Sequence, residues 1–288
     1  MFTTLSPVDL ALDVKFSEGA TLARDAGFEA VDLPMRELAD WPASQVADVL
    51  EETGLRAGGW WLPVEYRKDR DTFDAEMETA AKACALAGEI GARWCNTWVW
   101  PFSDDLDYRA NFELHAERLK PAAKLLGEHG CVLGIEFVGP KTMRHGHRYE
   151  FISTLRGTFE LIDRIGEDNV GVLLDCWQWY TSHGTVEELT ALEPGQVTYV
   201  HLNDAPEGLE RDEQIDDQRM LPGATGVIDV VTFLAALRAI GFDGPVAAEP
   251  FNADVNAMEP GARTRLARET LTATLGGGGV EPTVRADA

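Results

Sequence analysis

Four residues of types that hold divalent cations stand at matching points in the second half of the chain. Glu136 closes the apolar run GIEF, Asp175 closes GVLLD, His201 sits in YVHLND, and Glu249 follows PVAA. Each comes after apolar residues that would otherwise continue a core, so each reads as the exit of a buried strand. A lone acid at such a place is commonly a helix cap or turn former, and a lone histidine a satisfied core or rim side chain. Four in register on successive strands are harder to explain that way. Two Glu, one Asp and one His brought together unpaired carry like-charge repulsion that a divalent cation removes. Carboxylate and imidazole ligands without thiolate suit Mn2+, Mg2+, Co2+ or Zn2+.

A repeated pattern supplies the elements that must position them. Seven glycines (27, 54, 91, 130, 166, 195 and 241) each follow a helix-like stretch and precede an apolar, β-rich run. Glycine takes the left-handed position that ends a helix. These seven strand entries, with a short first strand expected near Asp9–Leu12, make eight strands. Helices are expected over 73–90, over 109–128 with a kink or break at Pro121, and over 229–240 with Asp229 as N-cap. Eight strands alternating with helices predict a single-domain α/β fold, a (β/α)8 TIM barrel over residues 1–275, with an open doubly wound sheet as the alternative. The glycine-rich tail, 276–288, is expected to be flexible. In a parallel barrel all strand exits share one face, so the four residues would converge.

The runs GIEFVGPKTMR, GVLLDCWQWY, YVHLNDAP, DQRMLPGATGVID and GPVAAEPFN resemble the sugar phosphate isomerase/epimerase family, barrels similar to xylose isomerase and the ketose 3-epimerases. The resemblance implies one divalent metal ion, Mn2+ foremost, on Glu136, Asp175, His201 and Glu249. It implies Glu136 and Glu249 as the acid/base pair, working through an enediolate next to a polarised carbonyl. A small-molecule carbohydrate is the implied substrate, and isomerase or epimerase the implied activity. The same proton removal gives elimination when a leaving group lies β to the carbonyl, so a lyase or dehydratase on an oxo-sugar or oxo-cyclitol is the alternative, ahead of a non-catalytic sugar-binding barrel. The family's usual histidine three residues after the strand-six aspartate is here Gln178. Glutamine can hydrogen-bond but not shuttle protons, which points to altered proton handling or a different substrate.

Among supporting residues, Arg219 and Lys141 are the favoured loop cations for orienting substrate oxygens, ahead of Arg144, His145 and His147. Trp60, Trp61, Trp98, Trp100, Trp177, Trp179 and Tyr180 are candidates for an aromatic collar, the last three in a loop after Asp175. Trp61, Trp98, Trp177 and Gln178 are the substrate contacts carried forward, with Asn96 and Asn203 as hydrogen-bonding neighbours and His183 able to reach back. Composition bounds the partners. With 49 acidic against 25 basic residues the net charge is −24, which repels phosphate backbones and argues against nucleic acid. There is no run of 18 apolar residues and no basic-then-apolar leader, so neither membrane nor secretion is expected. The four cysteines form no CxxC pair and read as buried thiols of a cytoplasmic protein. Association into a homo-oligomer is an expectation from the barrel class.

Overall fold

All seven punctuating glycines take positive φ, from 68° to 88°, and each leads into a strand. The computed structural model describes residues 1–277. The barrel strands are β1 (Phe2–Leu5), β2 (Ala30–Val31), β3 in two pieces (Arg56–Ala57 and Gly59–Trp61), β4 (Trp94–Val99), β5 (Val132–Phe137), β6 (Val170–Asp175), β7 (Val197–Leu202) and β8 (Pro245–Ala248). Every pairing between them is parallel. The first piece of β3 pairs with β2 and the second with β4. The nine-stranded sheet therefore begins and ends on two pieces of one strand. An α/β barrel of TIM type results, closed except at the break, which is Gly58.

Gly58 is required there. A Cβ on it would lie 2.3 Å from both Asp32 Oδ1 and Thr4 Oγ1. The Asp32 carboxylate takes the place of the missing ladder bonds: Oδ1 accepts from Thr4 Oγ1 and the Gly59 amide, and Oδ2 from the Tyr199 hydroxyl. Burial pushes the Asp32 carboxyl up to about 6, against the hydrogen bonds that favour its charged form.

The helical layer comprises α1 (Phe16–Ala26), α2 (Ala43–Thr53), α3 (Arg70–Ile90), α4 (Tyr108–Glu128), α5 (Leu155–Ile165), α6 (Cys176–Thr181), α7 (Val186–Thr190), α8 (Val230–Ala239) and α9 (Pro260–Leu275). Asp229 caps α8 by accepting from the Thr232 amide, worth about 1 kcal/mol. The helix buries Val230, Phe233, Leu234 and Leu237, at about 1.5–3 kcal/mol for each large side chain.

Three sequence expectations change. The first strand is Phe2–Leu5, and Asp9–Leu12 forms the turn that follows it; FTTL pairs with β8 and β2 despite having no glycine before it. α4 runs unbroken across Pro121. The cost of a proline inside a helix, about 3 kcal/mol, is met by a face that buries Leu119, Ala122, Ala123 and Leu126. The aromatic stretch after Asp175 is the helix α6, which Asp175 itself caps. The tail expected over 276–288 lies, apart from Gly276 and Gly277, outside the described residues. The four cysteines are free and buried. No helix among the described residues is long and apolar enough to cross a membrane.

Candidate metal centre

Side chains alternate across a strand, and that period places the four residues. On β7, Tyr199 and His201 point inward; on β6, Leu173 and Asp175; on β8 and its exit, Ala247 and Glu249. Leu173, Tyr199 and Ala247 form a small cluster inside the barrel. One layer higher, at the C-terminal ends of the strands, Glu136, Asp175, His201 and Glu249 offer ligand atoms all within 4.8 Å of one another. His201 Nδ1 lies 3.3 Å from Glu249 Oε2, 3.7 Å from Glu136 Oε1 and 4.0 Å from Asp175 Oδ2. All four residues are buried.

Two of these atoms, Glu136 Oε1 and His201 Nδ1, have no hydrogen-bond partner. Buried polar atoms are paired in the large majority of cases, so two facing one another mark a place for a cation. Three oxygen-donor residues and one imidazole nitrogen fit a divalent ion of the borderline-to-hard kind. Burial, then the Glu249 charge, pushes the Glu136 carboxyl up to about 7. Glu249 has the opposite balance: burial alone would raise it, but the His201 and Arg219 charges outweigh that and hold it at about 2. Burial raises Asp175 despite the adjacent Arg219 charge.

Neighbouring groups fix Asp175 and Glu249 in place. Asp175 Oδ1 accepts from the Trp177 amide, so the acid both caps α6 and faces the centre. Asn203 donates to both Asp175 oxygens, at 3.0 and 3.1 Å, and accepts the Glu249 amide on its Oδ1. Arg219, itself buried, donates from Nη1 to Asp175 Oδ2 and Glu249 Oε2, while Nη2 reaches Asp216. Its loop is pinned where Asp204 and Met220 exchange backbone hydrogen bonds, and the Asp204 carboxylate accepts the amides of Thr225, Gly226 and Ile228. Phe251, over which the Arg219 guanidinium stacks at 4.5 Å, has φ 34°, a conformation unusual for a side chain this large.

Above the centre opens a cavity of about 530 Å³ whose walls include Trp61, Trp98, Trp100, Gln178, Arg219 and Phe251. Trp61 and Trp98 meet edge to face at 5.4 Å. The Gln178 Oε1 is occupied by the Gly139 amide at 2.8 Å. Other candidates lie elsewhere. Lys141 is half exposed and pairs with Asp212 at 2.9 Å, and His183 pairs with the same carboxylate at 2.7 Å. Together they form a rim cluster that holds Asp212 at about 2. Trp177 is fully buried behind Arg219, its ring 5.5 Å from the guanidinium carbon. Trp179 packs on Phe233, Tyr180 lies beneath Arg211, and Trp60 donates to the Ala92 carbonyl. Arg144 donates to the Gly139 carbonyl, His147 stacks on Phe102, and His145 is exposed. Asn96 is buried inside the barrel below the cavity.

Asp9 and Asp216 were not foreseen as parts of the centre. Asp9 Oδ2 lies 3.2 Å from His201 Nε2, the ring nitrogen that faces away from the other three residues. Its only sequence signal is an acid a few residues beyond a short strand. Asp216, which holds Arg219, lies in an acidic loop where nothing distinguishes it from its neighbour Asp217.

Residues 20–274 match the model of the family described as xylose isomerase-like TIM barrel. The chain is 26% identical over 160 residues, 56% of its length, to an inosose isomerase of Bacillus velezensis, covering 54% of that protein. It spans about half the length of such inosose isomerases. A ketose 3-epimerase of Arthrobacter globiformis is 25% identical over 249 residues, 82% of this chain and 78% of that protein. Among solved structures, a xylose isomerase domain protein from Alicyclobacillus acidocaldarius superposes with a TM-score of 0.86 at 31% identity, over 96% of this chain and 98% of that one. The chain is a member of the xylose isomerase-like TIM barrel family.

Proposed function

We propose that this protein is a divalent-metal-dependent isomerase or epimerase acting on a sugar or sugar derivative. The observation that carries the reading is the pair of unpartnered ligand atoms, Glu136 Oε1 and His201 Nδ1, within a four-residue group at the floor of an aromatic-walled cavity. Isomerisation of an inosose and 3-epimerisation of a ketose are named for the relatives above, which supports the substrate class.

A divalent cation on Glu136, Asp175, His201 and Glu249 would polarise a substrate carbonyl and so acidify the adjacent C–H. The residues handle the proton. In this reading Glu249 accepts the proton and Glu136, across the substrate, returns one; return to the other face of the carbon gives an epimer. Arg219, held between Asp175 and Glu249, keeps a permanent positive charge at the cavity wall, where it offsets negative charge developing on a bound substrate. Gln178, with its oxygen held by Gly139, has only its amide N–H groups to offer a substrate oxygen. It orients and does not relay protons. Trp61 and Trp98 offer ring faces to sugar C–H groups and exclude water.

The test is incubation of metal-loaded protein with a panel of ketoses and inososes, followed by NMR. The reading predicts mass-neutral conversion that is lost on chelation and restored by metal. Release of water or of an aglycone would assign a lyase. Protein that binds no divalent metal and converts nothing would overturn the catalytic reading.

A further inference from the structure

A second cavity, about 440 Å³, lies against the metal-site cavity and shares Val8, Arg36, Trp61 and Leu62 with it. We propose that this second lobe is a subsite for an apolar ring carried by the substrate, so that the natural substrate is a sugar derivative with an aromatic or alicyclic substituent. The sugar half of this statement rests on the proposed function; the lobe does not.

The chemistry of the walls carries the inference. The lobe is lined by Leu12, Val14, Phe16, Leu33, Met35 and Trp60, among others. Its polar groups are already satisfied or lie in solvent. The Asp32 oxygens are taken by Thr4, Gly59 and Tyr199, Arg36 pairs with Glu76 at 3.1 Å, and Lys15 and Glu37 are exposed. No buried side-chain polar atom of the lobe lacks a hydrogen-bond partner. The metal-site cavity has equally apolar walls but differs at its floor, where Glu136 Oε1 and the nearby His201 Nδ1 lack partners. Only that floor calls for the oxygens of a polyol, and the second lobe offers an apolar group its walls alone. Trp61 stands between them, its ring 6.3 Å from the His201 ring on the metal side and its residue forming part of both walls. Trp61 is thus the shared boundary that a substituent on a sugar seated over the four residues would pass. Each lobe alone falls within the size range of small-molecule sites, more room than a single six-carbon sugar fills.

The test compares phenyl β-D-glucopyranoside with D-glucose, and phenol as the isolated ring, on the metal-loaded protein. Calorimetry measures the two sugars and ligand-observed NMR the phenol. The proposal predicts that the phenyl glucoside binds at least about tenfold more tightly than glucose, the gain expected from burying one ring. Phenol is predicted to bind with or without metal and to be displaced by the phenyl glucoside but not by glucose. In Val14→Trp, which fills the lobe from its rim, phenol binding is lost while metal stoichiometry and melting temperature stay unchanged. Equal affinity of the two sugars, or no phenol binding to the wild-type protein, overturns the proposal. If neither sugar binds, phenol alone decides. Phenol binding without any conversion of sugars would sink the isomerase reading and keep the lobe; conversion without phenol binding would do the reverse.

Discussion

Asp9 Oδ2 lies 3.2 Å from His201 Nε2, while Nδ1 of the same ring faces Glu249, Glu136 and Asp175. A carboxylate on one nitrogen stabilises the proton there and leaves the other nitrogen's lone pair for a ligand. Asp9 also lines the metal-site cavity, but its closest charged neighbour is the imidazole.

The consequence is measurable in metal affinity. Removing the carboxylate in Asp9→Ala should weaken divalent-ion binding by about 10- to 100-fold. Asp9→Asn keeps an acceptor and should lose less. Calorimetric titration of chelator-treated protein with Mn2+ or Co2+ gives the constants. Equal affinity in wild type and Asp9→Ala would remove Asp9 from this role.

The break in β3 makes a prediction about stability. In Gly58→Ala the new methyl group meets Asp32 Oδ1 and Thr4 Oγ1 at 2.3 Å. Overpacking of this kind costs about 1–3 kcal/mol, occasionally more, and here it also disturbs the carboxylate that bonds β3 to β1 and β7. Urea unfolding should show a lower midpoint. An unchanged midpoint would mean that the barrel closes without the Asp32 network.

Asp32 predicts a pH dependence. Its folded pKa is raised from 3.8 to about 6, so between those values the folded state holds a proton that the unfolded chain has released. The associated stability is fully present below pH 3.8 and is lost as pH rises through about 6. A shift of this size corresponds to about 3 kcal/mol. The stability of wild type minus that of Asp32→Asn, from urea unfolding at a series of pH values, should therefore fall across that window. A flat difference would show that folding leaves the Asp32 pKa unchanged.

How far the sequence reached follows from what local pattern can carry. The convergence of Glu136, Asp175, His201 and Glu249 was legible because each is a polar residue ending an apolar strand, and parity along a strand fixes which side chains share the interior. Asp9 was hidden because FTTL is too short to show alternation and has no glycine before it, so the first strand was expected several residues too late. The aromatic stretch after Asp175 could not be sorted by type. As a helix, CWQWYT buries Trp177 behind Arg219 and turns Gln178 to the cavity, whereas read as a loop it put Trp177 forward beside Gln178 as a substrate contact. Lys141 was a reasonable substrate cation until the fold brought Asp212 to it from a loop far along the chain.

The central claim is that Glu136 and Glu249 move a proton at a carbon beside a carbonyl oriented over the metal centre. Solvent deuterium wash-in tests it most directly, because exchange needs no net conversion and reports on the proton alone. In D2O, metal-loaded wild type should incorporate deuterium next to the carbonyl of at least one ketose in a panel, and chelated protein should not. Glu249→Gln should abolish the exchange while the protein stays folded. Exchange that persists in Glu249→Gln, or in protein freed of metal, would contradict the account.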